Sequence, residues 1–297
     1  KLERKVEETE PHMIITSQND ILLLKENILP LLKNFRRGGG KVFVRVGEDF
    51  AESEERKRLL REESWCDVYF TGYSLRVMRN FAELAGKACI QIPFAANAKT
   101  HFPVPPVKRY EVDLCFVGGY LPKKKVVFRK LLFPLLKKYR VLIFGPGWTF
   151  QDRALGASGV LLRRMKLHRL REAVYKRRVG LPADEERTLY SSAKISLNIH
   201  EYSECGEILG LSNEREFKIP AGGGFQLSDF CPGLEAFFVP DREIVIARDE
   251  RDWFQKIEYY LTHEEERRTI QEAGTRRALR DHTYHHRAKQ IIACAKQ

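Results

Sequence analysis

The stretch Lys194–Asp229, KISLNIHEYSECGEILGLSNEREFKIPAGGGFQLSD, decides how the chain is organised. It opens on an apolar run, Ile195–Ile199, of the buried-strand type, and turns polar at His200. A loop with two glycines leads to Ser212 and Asn213, both good helix N-cap residues, followed by Glu214, Arg215 and Phe217. The helix should end near Pro220, because Ala221-Gly222-Gly223-Gly224 continues a helix only at a cost. Phe225-Gln226-Leu227 reads as the next strand. A strand, a loop, a helix N-terminus and a glycine turn form a pocket able to hold an anion, with Arg215 available for a bidentate phosphate contact. The same pattern also fits an ordinary α/β corner carrying a surface arginine.

Strand and helix signals alternate on the N-terminal side. His12–Thr16 is a short strand, Asp20–Arg36 a helix ended by Gly38-Gly39-Gly40, and Lys41–Val46 a clear strand. Helices follow at Glu52–Glu63 and Leu75–Leu84, with strands at Asp67–Thr71 and Lys87–Ile92. The proline-rich stretch from Pro93 to Pro106 breaks the pattern and sets a boundary near residue 107. Beyond it the alternation restarts. Val112–Val117 ends in Gly118-Gly119-Tyr120 and is followed by a basic helix; Arg140–Phe144 ends in Gly145-Pro146-Gly147-Trp148. Leu161–Arg178 reads as one amphipathic basic helix and Pro182–Ser192 as a short helix with an acidic first turn. Glu243–Ala247 is a last strand; Glu250–Leu261, Glu264–Asp281 and a segment from Tyr284 close the chain as helices. The expected units are residues 1–107, 108–282 and a terminal helix, 283–297. Strands separated by helices of this length predict parallel sheets covered on both faces, with ligands outside the carboxyl ends of the strands.

At 297 residues the chain can bury a real core in two domains, and 43% hydrophobic with 31% charged is a soluble globular balance. No apolar run approaches the ~20 residues of a membrane span. KLERKVEETE has no apolar leader character and lacks an initial Met, so residues upstream are expected. The six scattered cysteines form no CxxC pair, which fits a reducing, cytoplasmic setting. Net charge is +12, and between Lys123 and Arg178 seventeen Lys/Arg face only Asp152 and Glu172. That region suits nucleotide phosphates, an anionic membrane surface or nucleic acid. Against nucleic acid, the chain lacks aromatic–basic interleaving, a helix-turn-helix and a zinc signature. His282, His285 and His286 have metal-like spacing but no matching cysteine or carboxylate, and read as surface histidines; Trp65 and Trp253 read as packing anchors.

The segments DLCFVGGYLPKKK, VLIFGPGW, LYSSAKISLNIH, NEREFKIPAGGGFQLSD and YYLTHEEERRTIQEAGTRRALRDHTYHHR together resemble the CgeB-like (spore maturation protein CgeB) glycosyltransferases. These belong to the GT-B superfamily with its glycosyl transferases group 1 C-terminal domain. The resemblance covers residues 110–290 well and 40–107 more loosely. It implies an α/β fold of two Rossmann-like doubly wound domains facing across a cleft; in a departure from that pattern, the N-terminal domain here is expected to be incomplete, lacking its first two or three strands, which usually carry part of the acceptor site. It implies transfer of a sugar from a nucleotide-sugar co-substrate, UDP- or GDP-linked, to a glycan, protein or other hydroxyl acceptor. No metal cofactor is required if cations and a helix N-terminus stabilise the leaving diphosphate, and no Asp-x-Asp motif occurs.

Carried over by position, Asn213, Arg215 and the backbone of Gly222, Gly223 and Gly224 would line the diphosphate. Gly118 and Gly119 would allow close approach of the donor, with Lys124 and its lysine neighbours near its charge. Trp148 would lie near the base, and His200 with Tyr202 near the sugar or base. Lys218 stands where relatives carry a ribose-holding Glu, and Gly222 where they carry Cys; Lys218 could contact phosphate instead. Glu48 or Asp49, after the KVFVRV strand, is the candidate catalytic base; the pair also suits an N-terminal cap for the helix that follows. A non-catalytic nucleotide- or glycan-binding module and a nucleic-acid-binding or nucleic-acid-glycosylating protein are the alternative functions.

Overall fold

The computed structural model describes residues 2–47, 53–61, 65–72, 75–86, 89–121, 124–176, 180–200 and 213–296. The chain divides into two compact units, residues 1–94 with 287–297, and residues 95–286. The proline-rich stretch from Ala95 onward belongs to the second unit.

The first unit opens with helix α1 (Leu2–Thr9), which the sequence reading did not anticipate. Its sheet is all parallel, with β1 (Met13–Ser17), β2 (Lys41–Arg45), β3 (Val68–Thr71) and β4 (Cys89–Gln91) side by side in chain order. The crossovers are α2 (Gln18–Arg37), α3 (Glu54–Arg61) and α4 (Leu75–Ala85). Helix α2 is capped by Ser17, whose hydroxyl oxygen accepts the Asp20 amide at 3.2 Å. Alternate residues of β2 serve opposite faces, as a period of two requires. Val42 and Val44 pack with Trp65, Tyr69 and Phe81, whereas Phe43 packs with Phe70, Ile92 and Ile291. Ile291 comes from the final helix, so the chain's end completes this core.

The second unit has five parallel strands: β5 (Leu114–Val117), β6 (Val141–Phe144), β7 (Ile195–Asn198), β8 (Gln226–Asp229) and β9 (Val245–Ala247). Their spatial order is β6-β5-β7-β8-β9. Between β5 and β6 the basic helix anticipated from sequence is only one α-turn, α5 (Lys125–Val127), followed by a wide turn over Phe128–Leu132 and 3₁₀ turns over Phe133–Lys137. Pro134 has no N–H to continue an α-helical ladder there. The predicted helix Leu161–Arg178 is corrected as well. The structure has α6 (Phe150–Arg164) and α7 (His168–Lys176), separated by Lys166 at φ 58°. Helix α6 starts early because the Thr149 hydroxyl oxygen accepts the Asp152 amide at 3.1 Å; glycines 156 and 159 masked its helical pattern.

Helices α8 (Ala183–Ser192), α9 (Arg215–Ala221), α10 (Glu250–Thr262), α11 (Glu264–Asp281) and α12 (Tyr284–Ala295) follow. Leu114, Phe116, Ile195, Leu197, Phe225 and Leu227 meet Trp253, Ile257 and Tyr260 of α10 in the main core. Trp65 and Trp253 are wholly buried, and their indole N–H groups donate to the carbonyls of Leu59 (3.2 Å) and Leu131 (3.0 Å). His282 is not a surface residue: it is buried, ringed by Phe217, Phe237 and Phe238, with Nε2 2.8 Å from the Phe237 carbonyl. Cys115 is buried and its thiol pKa is pushed up to about 12 by burial, so it acts as a small apolar side chain. Gly274 of α11 lets the helix lie against the Glu243 carbonyl, where a Cβ would approach the oxygen to 2.1 Å. Gly274→Ala should therefore destabilise by about 1–3 kcal/mol, seen as a lowered denaturant midpoint with unchanged slope.

Candidate functional site

The second sheet reverses its order between β5 and β7: the chain runs outward from β5 to β6, then returns to the other side of β5 to form β7. In such a sheet the crevice outside the carboxyl ends of these two strands is where ligands bind. The first sheet, with strands in chain order, has no reversal among its described strands.

Arg215, the first residue of α9, spans this reversal. Its Nη1 donates to the carbonyl of Val117 at the end of β5 (3.2 Å), and its Nη2 to the carbonyl of Ile199, just beyond β7 (2.9 Å). Nε donates to Asn198 Oδ1 at 3.1 Å, and the guanidinium lies over the Phe116 ring, 5.2 Å from its centre. Burial weakens the preference of Arg215 for its charged form, countered by Tyr190, Asp229, Glu216 and Glu186 around it. Lys124 is buried too, and its Nζ donates to the same Ile199 carbonyl at 3.4 Å. Two cations thus converge on one oxygen at the edge where β5 and β7 end.

Behind Arg215 lies a buried charged group. The His200 amide donates to both carboxylate oxygens of Asp229 at 3.1 Å. The His200 ring sets Nδ1 2.6 Å from Asp229 Oδ1 and Nε2 2.8 Å from Glu216 Oε1. Burial alone would lower the imidazole pKa; Asp229, Cys231 and Glu216 outweigh it and hold the ring protonated, well above the ordinary 6.5. Cys231 completes a set of three metal-capable donors, with His200 and Glu216, whose ligand atoms lie within 4.8 Å of one another. Both imidazole nitrogens already face carboxylates, so a metal would have to displace the proton between His200 and Glu216.

Asn213 turns back onto its own helix. Its Oδ1 accepts the Arg215 amide at 2.9 Å while its N–H donates to Glu216 Oε1 at 3.2 Å, a reciprocal cap that fixes the start of α9. The Gly222-Gly223-Gly224 turn does not join the group around Arg215. Its amides donate to the carbonyls of Lys218 (2.8 Å), Pro220 (2.9 Å) and Ile219 (2.9 Å), closing the C-terminal end of α9. The turn precedes β8, at the opposite edge of the sheet from Arg215. Lys218 is held by Glu214 at 2.7 Å, with Glu186 at 3.9 Å.

The glycines of the strand-end loops serve the protein's own packing. A Cβ at Gly118 would stand 2.7 Å from Arg215 Nη1 and 2.9 Å from the Phe116 ring. Gly145, at φ +133°, abuts the Gly118 carbonyl, and a Cβ at Gly119 would come within 3.3 Å of Pro146. Trp148 Nε1 donates to the Gly118 carbonyl at 2.7 Å, and its ring packs on Phe116, Tyr120 and Phe128. Glu48, Asp49 and Tyr202 lie outside the described residues. The sequence reading missed Asn198, Glu216 and Asp229. Asn198 and Asp229 were visible as polar residues closing the apolar strands ISLN and QLSD.

Residues 124–293 match the model of a family described as glycosyl transferase-like. No curated protein matches the sequence. Among solved structures, the chain is similar to Anabaena HepE, determined in complex with UDP and glucose, at 11% identity and a TM-score of 0.64. That match covers 99% of this chain and 81% of HepE. Sucrose-phosphate synthase from Thermosynechococcus elongatus matches at 14% identity and a TM-score of 0.60, covering 100% of this chain and 76% of that one. The N-terminal domain of trehalose-6-phosphate phosphatase from Candida albicans matches at 12% identity and a TM-score of 0.62, covering 99% and 72%. The two parallel sheets flanked by helices are thus those of the GT-B fold along the whole chain.

Proposed function

Because the chain belongs to the glycosyl transferase-like family, we propose that it moves a glycosyl group from a nucleoside-diphosphate sugar to a hydroxyl acceptor, with the donor held at the β5–β7 reversal. The observation that carries this reading is the convergence of Arg215 and Lys124 on the Ile199 carbonyl. In glycosyl transfer the acceptor oxygen bonds to the anomeric carbon as the bond from that carbon to the diphosphate breaks. Negative charge grows on the departing diphosphate, so cations fixed beforehand stabilise the transition state more than the ground state. Arg215 spends three N–H groups on the protein and has five; the other two can serve phosphate oxygens. Uridine is the proposed base, in line with the UDP bound by HepE, and the CgeB-like branch is the proposed subfamily. Glu48 or Asp49 is the proposed base for the acceptor hydroxyl.

A thermal-shift panel of UDP, GDP and ADP tests the donor site. One diphosphate should raise the melting temperature; at a hundredfold excess over Kd the stabilisation is about 2.7 kcal/mol. Lys124→Ala should reduce that shift while leaving the unliganded protein folded. Absence of any shift with all three would overturn the reading. Lys218 favours a second reading, a module that binds without turnover: it stands where the CgeB resemblance implies a ribose-holding Glu, and its charge is taken up by Glu214. Binding of UDP-sugar with neither hydrolysis nor transfer would select it.

A further inference from the structure

We propose that the tip of the α6–α7 hairpin, residues 160–170, docks on the surface of an anionic lipid bilayer. Large apolar side chains are exposed there in a cluster. Leu161 and Met165 are each 58% exposed and Leu170 is 56% exposed, with Val160 just before them and Leu167 in the turn also exposed. Apolar side chains gathered at one turn, rather than scattered singly over a surface, mark a contact that excludes water.

The same turn carries Arg163, Arg164, Lys166 and Arg169, all exposed. No Asp or Glu occurs between Asp152 and Glu172. Cations interleaved with leucines and a methionine match an interface where headgroup phosphates sit beside acyl chains. Nucleic acid would use the cations and leave the apolar side chains in water. The hairpin's root is fixed: the buried Asp152 carboxylate accepts the Gly147 amide, and Thr149 caps α6. Lys166 at φ 58° turns the chain at the far end. An anchored root with an apolar, cationic tip suits insertion to headgroup depth. Among the described residues no helix is long and apolar enough to cross a membrane, so the contact is peripheral.

Flotation with vesicles of phosphatidylcholine alone, or mixed with phosphatidylglycerol, tests this on the full chain. The protein should float with the mixed vesicles and stay in solution with the neutral ones. Arg163→Glu/Arg164→Glu should weaken vesicle binding by ~25-fold or more, at about fivefold per surface cation. Leu161→Ser/Met165→Ser/Leu170→Ser should weaken it by at least about tenfold with the melting temperature unchanged, since all three side chains are exposed. Failure of the unaltered protein to float overturns the proposal. So does a serine variant that floats as well as the parent, which would leave a purely electrostatic surface to be tried on a DNA duplex. A lipid-free dimer that becomes a monomer in the serine variant would also overturn it, marking the tip as a contact between copies.

Discussion

Arg215→Ala is expected to weaken nucleotide-diphosphate binding and to lower stability, and the two losses can be measured separately. A charge-assisted contact to phosphate contributes about 1.5–3 kcal/mol, so the affinity should fall by tenfold or more. Stability falls because the guanidinium satisfies the Val117 carbonyl and the amide oxygen of Asn198, and shares the Ile199 carbonyl with Lys124. Each buried acceptor stranded by its loss costs about 1–3 kcal/mol. Calorimetric titration with UDP, run well below the variant's melting temperature, isolates the first loss; urea unfolding without ligand isolates the second. Arg215→Lys keeps the charge but not the fork that bridges β5 and β7, and should recover part of the affinity and less of the stability. Unchanged affinity in a folded Arg215→Ala protein would remove this residue from the donor site.

His200→Leu should strongly destabilise the second unit. It leaves Asp229 and Glu216 as two buried carboxylates without the cation between them, a loss of about 3–5 kcal/mol. The same group makes stability depend on pH. The His200 pKa in the folded protein lies well above the unfolded value of 6.5, with burial opposing the shift and Asp229 leading the groups that impose it. The folded state thus keeps a proton that the unfolded chain loses. The stabilisation is fully present below 6.5 and is lost as pH rises through the folded pKa. Urea midpoints should therefore decline from near neutrality upward, and the slope should flatten in His200→Leu. A parent protein whose midpoint holds level across that window would contradict a protonated His200.

The strand alternation of both units was legible in the sequence because each strand is a short apolar run flanked by glycine, proline or charge. Arg215 was legible from its place after a cap residue and before a glycine turn. What sequence could not supply was direction. The triple glycine reads as an anion cradle, yet it closes the carbonyl end of α9, and a one-dimensional pattern does not say which end of a short helix faces the crevice. Nor could it show that Gly118 makes room for Arg215 itself, a contact across almost a hundred residues of chain. The hairpin of α6 and α7 reads as one helix in the sequence because Lys166 is not a residue type expected at positive φ. His282 reads as a surface group in the sequence because its partners, three phenylalanines from other segments, are distant along the chain.

The first unit is stitched from two separated pieces of chain, and this bears on the order in which the protein can be made. Ile291 packs against Phe43, Phe70 and Ile92, and Arg287 donates to the carbonyls of Pro93 and Phe94. During synthesis residues 1–94 emerge early but must wait, with one face of their sheet uncovered, until all of residues 95–286 have been translated. The continuous second unit has no such delay. The N-terminal part of the chain therefore completes its core only after residues 287–297 have been made, against the N-terminal-first order in which domains usually fold during synthesis.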